Sequence, residues 1–429
     1  MRRFHPVVLA LVLPFLGCGQ EGSEDKTIAR DTNTATSDIE VSDTGSAKAS
    51  LSKEHLQSVT STLASDELEG RLPGTQGSEK ARAFLIEEMK NCNIQPAGSD
   101  EYAQKIGSSK GVNLLGRILG KDKALQNRHV LMSAHYDHLG PCGGQICNGA
   151  YDNAAAVAAV LEVACYLSQE RPERSILVAF WDAEEPPAFL SDTMGSQYFV
   201  ANPLVALDEI DVAVVLDLAG SEMWPGSKAY FAMGSEKSPE VREAVAKAAS
   251  LFDNLTPFVA GIHLPEEQPM GHQPWSDYDA FRNAEVPFLF LSDAQNKFYH
   301  TPDDDMDIIN IEKLTDETTY LLSIAVQLAN AQKTPVFQKD GEQYLQDLET
   351  TVSILKASLE SNEMVDALQL SAQCRKKLED DHTELSAFLE QARADGTVST
   401  KALHAMRSAV QRVMCLAGSQ YSAAMCLML

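Results

Sequence analysis

The chain reads as an α/β protein: a three-layer sandwich around a mixed, mostly parallel sheet, followed by a small C-terminal all-α appendage. Two observations predict this. Apolar, β-branched runs alternate with stretches of helical period between about residues 112 and 331. After Lys333-Thr334-Pro335 only the helical period remains.

In chain order, Leu51–Leu68 reads as a helix, closed by the turn-forming run from Glu69-Gly70-Arg71 to Pro73-Gly74-Thr75. Ser78–Asn91 is a second helix, with Ala81, Phe84, Leu85 and Met89 on one face. Strands are expected at Val112–Leu119 and Val130–Ala134, then a helix at Ala154–Ser168. Further strands follow at Ser175–Trp181, Val212–Leu218 and Ala229–Met233, a helix at Ser238–Ser250, a strand at Pro287–Leu291 and a helix at Thr315–Ala331. In such a sheet, ligands bind beyond the C-terminal strand ends.

Past Pro335, Leu345, Leu348, Val352, Leu355 and Leu359 recur at spacings of three and four, the seam of an amphipathic helix. Leu385, Phe388 and Leu389, then Leu403, Met406, Val410 and Val413, predict further helices with a turn at Asp395-Gly396. Two to four helices are expected over 335–429, as a packing or docking module.

The chain begins with basic Met1-Arg2-Arg3, then a short apolar stretch from Val7 to Leu16, interrupted by Pro14 and too short to span a bilayer. Phe15-Leu16-Gly17-Cys18 resembles a bacterial lipobox, which predicts export and a lipidated Cys18 in a cell envelope; the alternative is an ordinary cleaved signal and secretion. Residues 19–50, rich in Ser, Thr, Asp and Ala, lack an apolar period and read as a disordered tether. The main domain is expected over 51–334. A net charge of −26 argues against nucleic acid or an anionic membrane as partner. Of the eight cysteines, Cys142 with Cys147 and Cys374 with Cys415 are candidate disulfides, free thiols being the alternative. The absence of Cys-x2-Cys spacing argues against a cysteine zinc site.

Metal-capable side chains fall at the ends of the strand-like runs, in the order His135, Asp152, Glu185, Asp217, His300, with Glu184 as an extra carboxylate. They are enough to hold two zinc ions and leave one carboxylate as general base, the equipment of a metal-dependent hydrolase. Asp137 lies two residues beyond His135, so an extended backbone puts both side chains on one side, and a carboxylate behind a ligating imidazole fixes its tautomer. Asp152-Asn153 opens a helix, so Asp152 reads either as an N-cap or as a carboxylate bridging two metals. Adjacent Glu184 and Glu185 follow a buried strand and cannot both point the same way, so one can ligate while the other faces water. Asp217 closes a very apolar strand and needs a cation as partner, metal or arginine. His300 supplies a second imidazole; the acidic run Asp303-Asp304-Asp305 behind it reads mostly as a solvated turn.

Together, His135-Tyr136-Asp137, Gly149-x-x-Asp152-Asn153, Glu184-Glu185, the run Leu216-Asp217-Leu218-Ala219-Gly220 and Tyr299-His300-Thr301 resemble the motif set of the zinc exopeptidases of metallopeptidase family twenty-eight, the bacterial aminopeptidase type. Glu69-Gly70-Arg71 resembles that family's opening segment, so the likeness runs from about Leu51 to Ala331. The resemblance implies that His135 and Asp217 hold one Zn2+, that Glu185 and His300 hold the other, and that Asp152 bridges. It further implies Glu184 as general base, Asp137 as the group orienting His135, Tyr299 as donor to the oxyanion, and a cis peptide after Asp152. The implied substrates are peptides with a free N-terminus.

Three departures stand out. Ala154-Ala155-Ala156 replaces the family's usual Ala-Ser-Gly, and Pro186 to Met194 is longer than the usual link. Tyr278 stands where a histidine often follows Ser-Asp, which bears on side-chain preference. The longer link resembles that of the glutaminyl cyclases, mono-zinc relatives in which the counterparts of Asp152, Glu185 and His300 bind metal. A non-catalytic binding protein on the same fold is a further alternative, against which the full donor set argues.

Overall fold

The computed structural model describes residues 51–224, 226–249, 255–261, 274–361 and 372–417. The expected signal, Cys18 and the tether lie outside them, as do the side chains of Cys374 and Cys415.

The first helix, α1 (Lys53–Leu63), starts at Ser52, whose hydroxyl accepts from the His55 N–H. It ends short of the expected Leu68, because Asp66–Arg71 tightens into a 3-10 segment in which Glu69 and Gly70 take left-handed angles. Gly70 is required there: a Cβ would stand 2.3 Å from the Cys147 carbonyl oxygen. The second helix, α2 (Gln76–Asn91), begins at a Thr75 cap. Short strands β1 (Gln95–Pro96) and β2 (Ala103–Lys105) lead to β3 (Val112–Ile118) and β4 (His129–His135). A small hairpin, β5 (Gly140–Cys142) and β6 (Gln145–Cys147), carries the expected Cys142–Cys147 disulfide.

Helix α3 (Ala155–Glu170) precedes β7 (Ser175–Trp181), and α4 (Gly195–Ala201) precedes β8 (Ile210–Leu216). Then come β9 (Ala229–Met233), α5 (Pro239–Ala249), β10 (Thr256–Ala260), α6 (Tyr278–Asn283) and β11 (Phe288–Ser292). Helix α7 (Ile311–Ala329) begins earlier than expected, because the Asn310 side chain caps it by accepting from the Lys313 N–H. The chain closes with α8 (Tyr344–Glu360), α9 (Ala372–Asp395) and α10 (Thr400–Ala417). Gly396, at φ +71°, ends α9 where the turn was expected.

Nine strands form one mixed sheet in the order β1-β3-β7-β4-β8-β11-β9-β10, with β2 also on β3. Its centre, β7-β4-β8-β11, is parallel, whereas β3 runs antiparallel to β7, and β9 antiparallel to β11. Every residue of β4, β7 and β8 is buried. Alternation along a strand sends Val130 and Met132 into one core and Leu131 into the other. Helices α1, α2, α3, α5 and α7 cover the first face. The second carries α4, α6 and the three C-terminal helices. Helix α3 is apolar enough to cross a membrane, yet it is buried at the centre of the first core.

The C-terminal helices meet the sheet at its β10 margin. The Gly261 N–H donates to Asp347 Oδ1 at 2.6 Å, and the Thr350 hydroxyl donates to the Val259 carbonyl at 2.6 Å. A second disulfide, Cys92–Cys165, joins the end of α2 to α3 with Cα atoms 4.8 Å apart. Nothing in the sequence spacing pointed to it.

Candidate metal centre

Parallel strands share one C-terminal end, and the candidate residues gather there. His135 is the last residue of β4, Asp182 to Glu185 follow β7, and Asp217 follows β8. Their backbone is held almost as firmly as a strand: the Asp217 N–H still bonds the Leu291 carbonyl at 3.1 Å.

His135 Nε2 lies 3.2 Å from Asp217 Oδ1, 3.3 Å from Asp152 Oδ1 and 3.9 Å from Glu184 Oε2. His300 Nε2 lies 3.2 Å from Asp152 Oδ2 and 3.0 Å from Glu185 Oε2. Asp152 thus presents one oxygen to each histidine. Asp137 does more than stand 3.6 Å behind His135 Nδ1: its two oxygens accept the N–H groups of Glu184 (3.1 Å) and Glu185 (3.2 Å). The carboxylate therefore fixes the paired glutamates, while the Asp137 backbone carbonyl, 3.3 Å from His135 Nδ1, is the imidazole's hydrogen-bond partner.

Asp152 and His300 come from loops instead. Residues 150–154 form a single wide turn in which Asp152 and Asn153 depart from helical angles, and the bond between them is cis. Asp152 is not the cap of α3; that position is Ala154, with no side-chain cap. The turn is fastened from three sides. Asp304 accepts the N–H groups of Tyr151 (2.7 Å) and Asp152 (3.1 Å), so this member of the acidic run is buried rather than solvated. Buried Arg71 donates to the carbonyls of Leu63, Tyr136, Asn148 and Gly149, tying the loop after β4 to the turn. The Asn153 amide brackets Asp217, donating to the Leu216 carbonyl and accepting from the Leu218 N–H. His300 sits at φ +58° in a turn, with the Tyr299 ring stacked on it at 3.8 Å between centroids.

The electrostatics are those of a crowded, buried anionic pocket. Burial pushes the Glu184 carboxyl well above the usual range; His135 opposes this, and Asp217, Asp277 and Glu185 add to it. Burial pulls His135 down, but Asp217 and Glu184 beside it carry it well above its ordinary value. Burial raises the Asp277 carboxyl to about 7, against the pull of His135, and neither of its oxygens has a hydrogen-bond partner among the described residues. Burial brings the Arg71 guanidinium down to about 10, against the pull of Asp304 and Asp137.

Tyr278, at the position where preference was in question, packs into the second core on Phe288 and Phe290.

Two buried donor sets could hold metal: His135, Asp152 and Asp217, and His138, Asp152 and Glu185. They share Asp152. The residues fit a cation on this structure's own evidence. Asp152 Oδ2, Glu185 Oε1 and His300 Nε2 are buried and make no aligned hydrogen bond, although other donors approach to about 3 Å. His138 is absent from the ligand set read in the sequence, since nothing in His135-Tyr136-Asp137-His138 marks it apart from its neighbours.

A family model described as peptidase family M28 matches residues 113–325. YfbL of Escherichia coli strain K12, an uncharacterized protein, is 28% identical over 205 residues, which cover 43% of this chain and 62% of that protein. The match therefore spans less than two thirds of that relative. The aminopeptidase LapA of Legionella pneumophila superposes with a TM-score of 0.52 at 18% identity, over 66% of this chain and 72% of its own. The glutaminyl cyclase of Porphyromonas gingivalis does so at 0.51 and 18%, over 64% and 97%. At these identities the structural likeness is one of fold.

Proposed function

We propose that this chain, which belongs to peptidase family M28, is an exported aminopeptidase that removes N-terminal residues from peptides with two zinc ions and a glutamate base. The observation that carries the reading is the pair of buried donor sets sharing Asp152, with Glu184 against them. His135, Asp152 and Asp217 would hold one zinc and Asp152, Glu185 and His300 the other; when bound, they supply Lewis acidity and a more acidic water.

The chain's own groups supply the rest. Glu184 takes a proton from the attacking water and returns it to the leaving amine; its raised proton affinity suits the second half of that exchange. Asp137 keeps the Glu184 and Glu185 backbone fixed while the proton moves. Burial beside Asp152 and Glu185 keeps the Tyr299 hydroxyl protonated, as a donor to a developing oxyanion must be. The pocket's surplus of carboxylates favours a substrate bearing a free α-ammonium, and the net charge of −26 works in the same direction. Export is supported by the basic, apolar start ending in Cys18 and by two disulfides in the folded domain.

The test is mass spectrometry of mixed peptides incubated with the zinc-loaded protein, with free and acetylated N-termini. Stepwise loss of residues from unblocked peptides alone is expected. Loss of ammonia from a Gln-led peptide alone would replace the reading by a cyclase.

A further inference from the structure

Resting on the metal-centre reading above, we infer that His138 is a metal ligand, giving the Glu185–His300 pocket four protein donors against three in the His135–Asp217 pocket. His138 is fully buried, and neither ring nitrogen has an aligned hydrogen bond among the described residues. A buried imidazole with both nitrogens idle is costly, about 1–3 kcal/mol for each unsatisfied group. Yet Nδ1 stands 2.8 Å from Glu185 Oε1 and 3.9 Å from Asp152 Oδ2.

Close approach without hydrogen-bond alignment is how two ligands of one ion are placed. Donors each about 2.1 Å from a zinc lie roughly 3–3.5 Å apart. His300 Nε2 meets the same Asp152 Oδ2 at 3.2 Å and the other Glu185 oxygen, Oε2, at 3.0 Å. The two imidazoles face each other edge to face with centroids 5.8 Å apart.

The backbone is shaped to admit the ring. Gly149 has φ +62°, and a Cβ there would stand 2.5 Å from His138 Cγ. Only glycine lets the turn bearing Asp152 close over the imidazole.

The two pockets are then unequal. Four protein donors make a closed, tightly held site, whereas three leave a position open for water or substrate. The Glu185–His300 pocket is expected to fill first, and the His135–Asp217 pocket to exchange more readily.

The test uses metal-free protein titrated with zinc against a chromophoric chelator, and with cobalt followed by absorption. Wild type is expected to bind two ions in resolved steps. His138→Gln, which keeps much of the volume, is expected to weaken the tighter step by at least about 10–100-fold, the range already set by losing a mere ligand-orienting group. His138→Cys, whose sulfur takes the place of Cγ, one bond short of Nδ1, is expected to add a thiolate-to-cobalt charge-transfer band as the larger sulfur and its longer metal bond make up the reach. A residue that only orients Glu185 would give no such band. Undiminished affinity in His138→Gln, or no thiolate band at any cobalt loading of folded His138→Cys, overturns the inference. A wild type that binds no metal at all overturns the metal-centre reading instead, so the two failures are distinct.

Discussion

The candidate centre is built in two halves that the fold secures by different means. His135, Glu184, Glu185 and Asp217 stand at or just beyond the ends of three central parallel strands, where β4, β7 and β8 hold one another in register. Asp152 and His300 sit in loops, one in a wide turn and the other at a left-handed angle. Strand ends position a side chain through the sheet's own hydrogen bonds. Loops need added fasteners, and here those fasteners are themselves buried titratable side chains, Arg71 and Asp304. Precision in the second half therefore depends on groups that touch no substrate.

The contrast can be broken at several points, the largest effect first. Glu184→Gln is expected to leave metal content unchanged while kcat falls about 10²–10⁴-fold; retained turnover would remove Glu184 as base. Arg71→Ala strands four buried carbonyls, each worth about 1–3 kcal/mol when unsatisfied, so a loss of roughly 3 kcal/mol or more is expected in denaturant unfolding. Wild-type stability in that variant would mean that the loop half holds itself. Asp304→Ala frees the Tyr151 and Asp152 N–H groups, and metal affinity should drop about 10–100-fold, measured by chelator competition. If Asp304 only solvated a turn, affinity would not move.

The smallest effect concerns α1, away from the centre. The hydrogen bond that His55 donates to Glu162 raises its pKa above 6.5; burial works against this, and Glu88 adds to it. Because the folded value lies above the unfolded one, the stabilisation is complete below pH 6.5 and fades as pH climbs through the raised value. Melting temperatures of wild type and His55→Gln should differ most below pH 6.5 and converge in more alkaline buffer. A gap that widens with pH would reverse the sign.

The same division explains what the sequence made legible. Long strands buried on both faces leave continuous apolar runs, so β4, β7, β8 and β11 and the strand-borne His135, Glu184, Glu185 and Asp217 could be located from pattern alone. Asp152 and His300 were legible as motif residues, but their turns were not, because a left-handed His300 and a wide turn at 150–154 leave no periodic trace. The two-residue β1 and three-residue β2 are too short for alternation to register. Asp304 was hidden inside a run of three aspartates, and its burial depends on a loop from elsewhere in the chain reaching it. Arg71 stood in a recognised segment, yet its four carbonyl partners span residues 63 to 149. Cys92 and Cys165 are brought together by the packing of α2 on α3, which sequence separation cannot show.

The two margins of the sheet are covered in different ways. At one side the margin is made of two short strands, β1 and β2, and β1 carries Pro96, which has no N–H to offer a stranger. At the other, β10 is longer, and its free backbone flank is met by α8 through Asp347 and Thr350. The C-terminal helices thus act as a guard rail on an edge that would otherwise recruit another strand. A chain shortened at Pro335 would keep every residue of the metal centre but bare both that edge and the part of the second core these helices cover, so the failure to look for is self-association in the test tube.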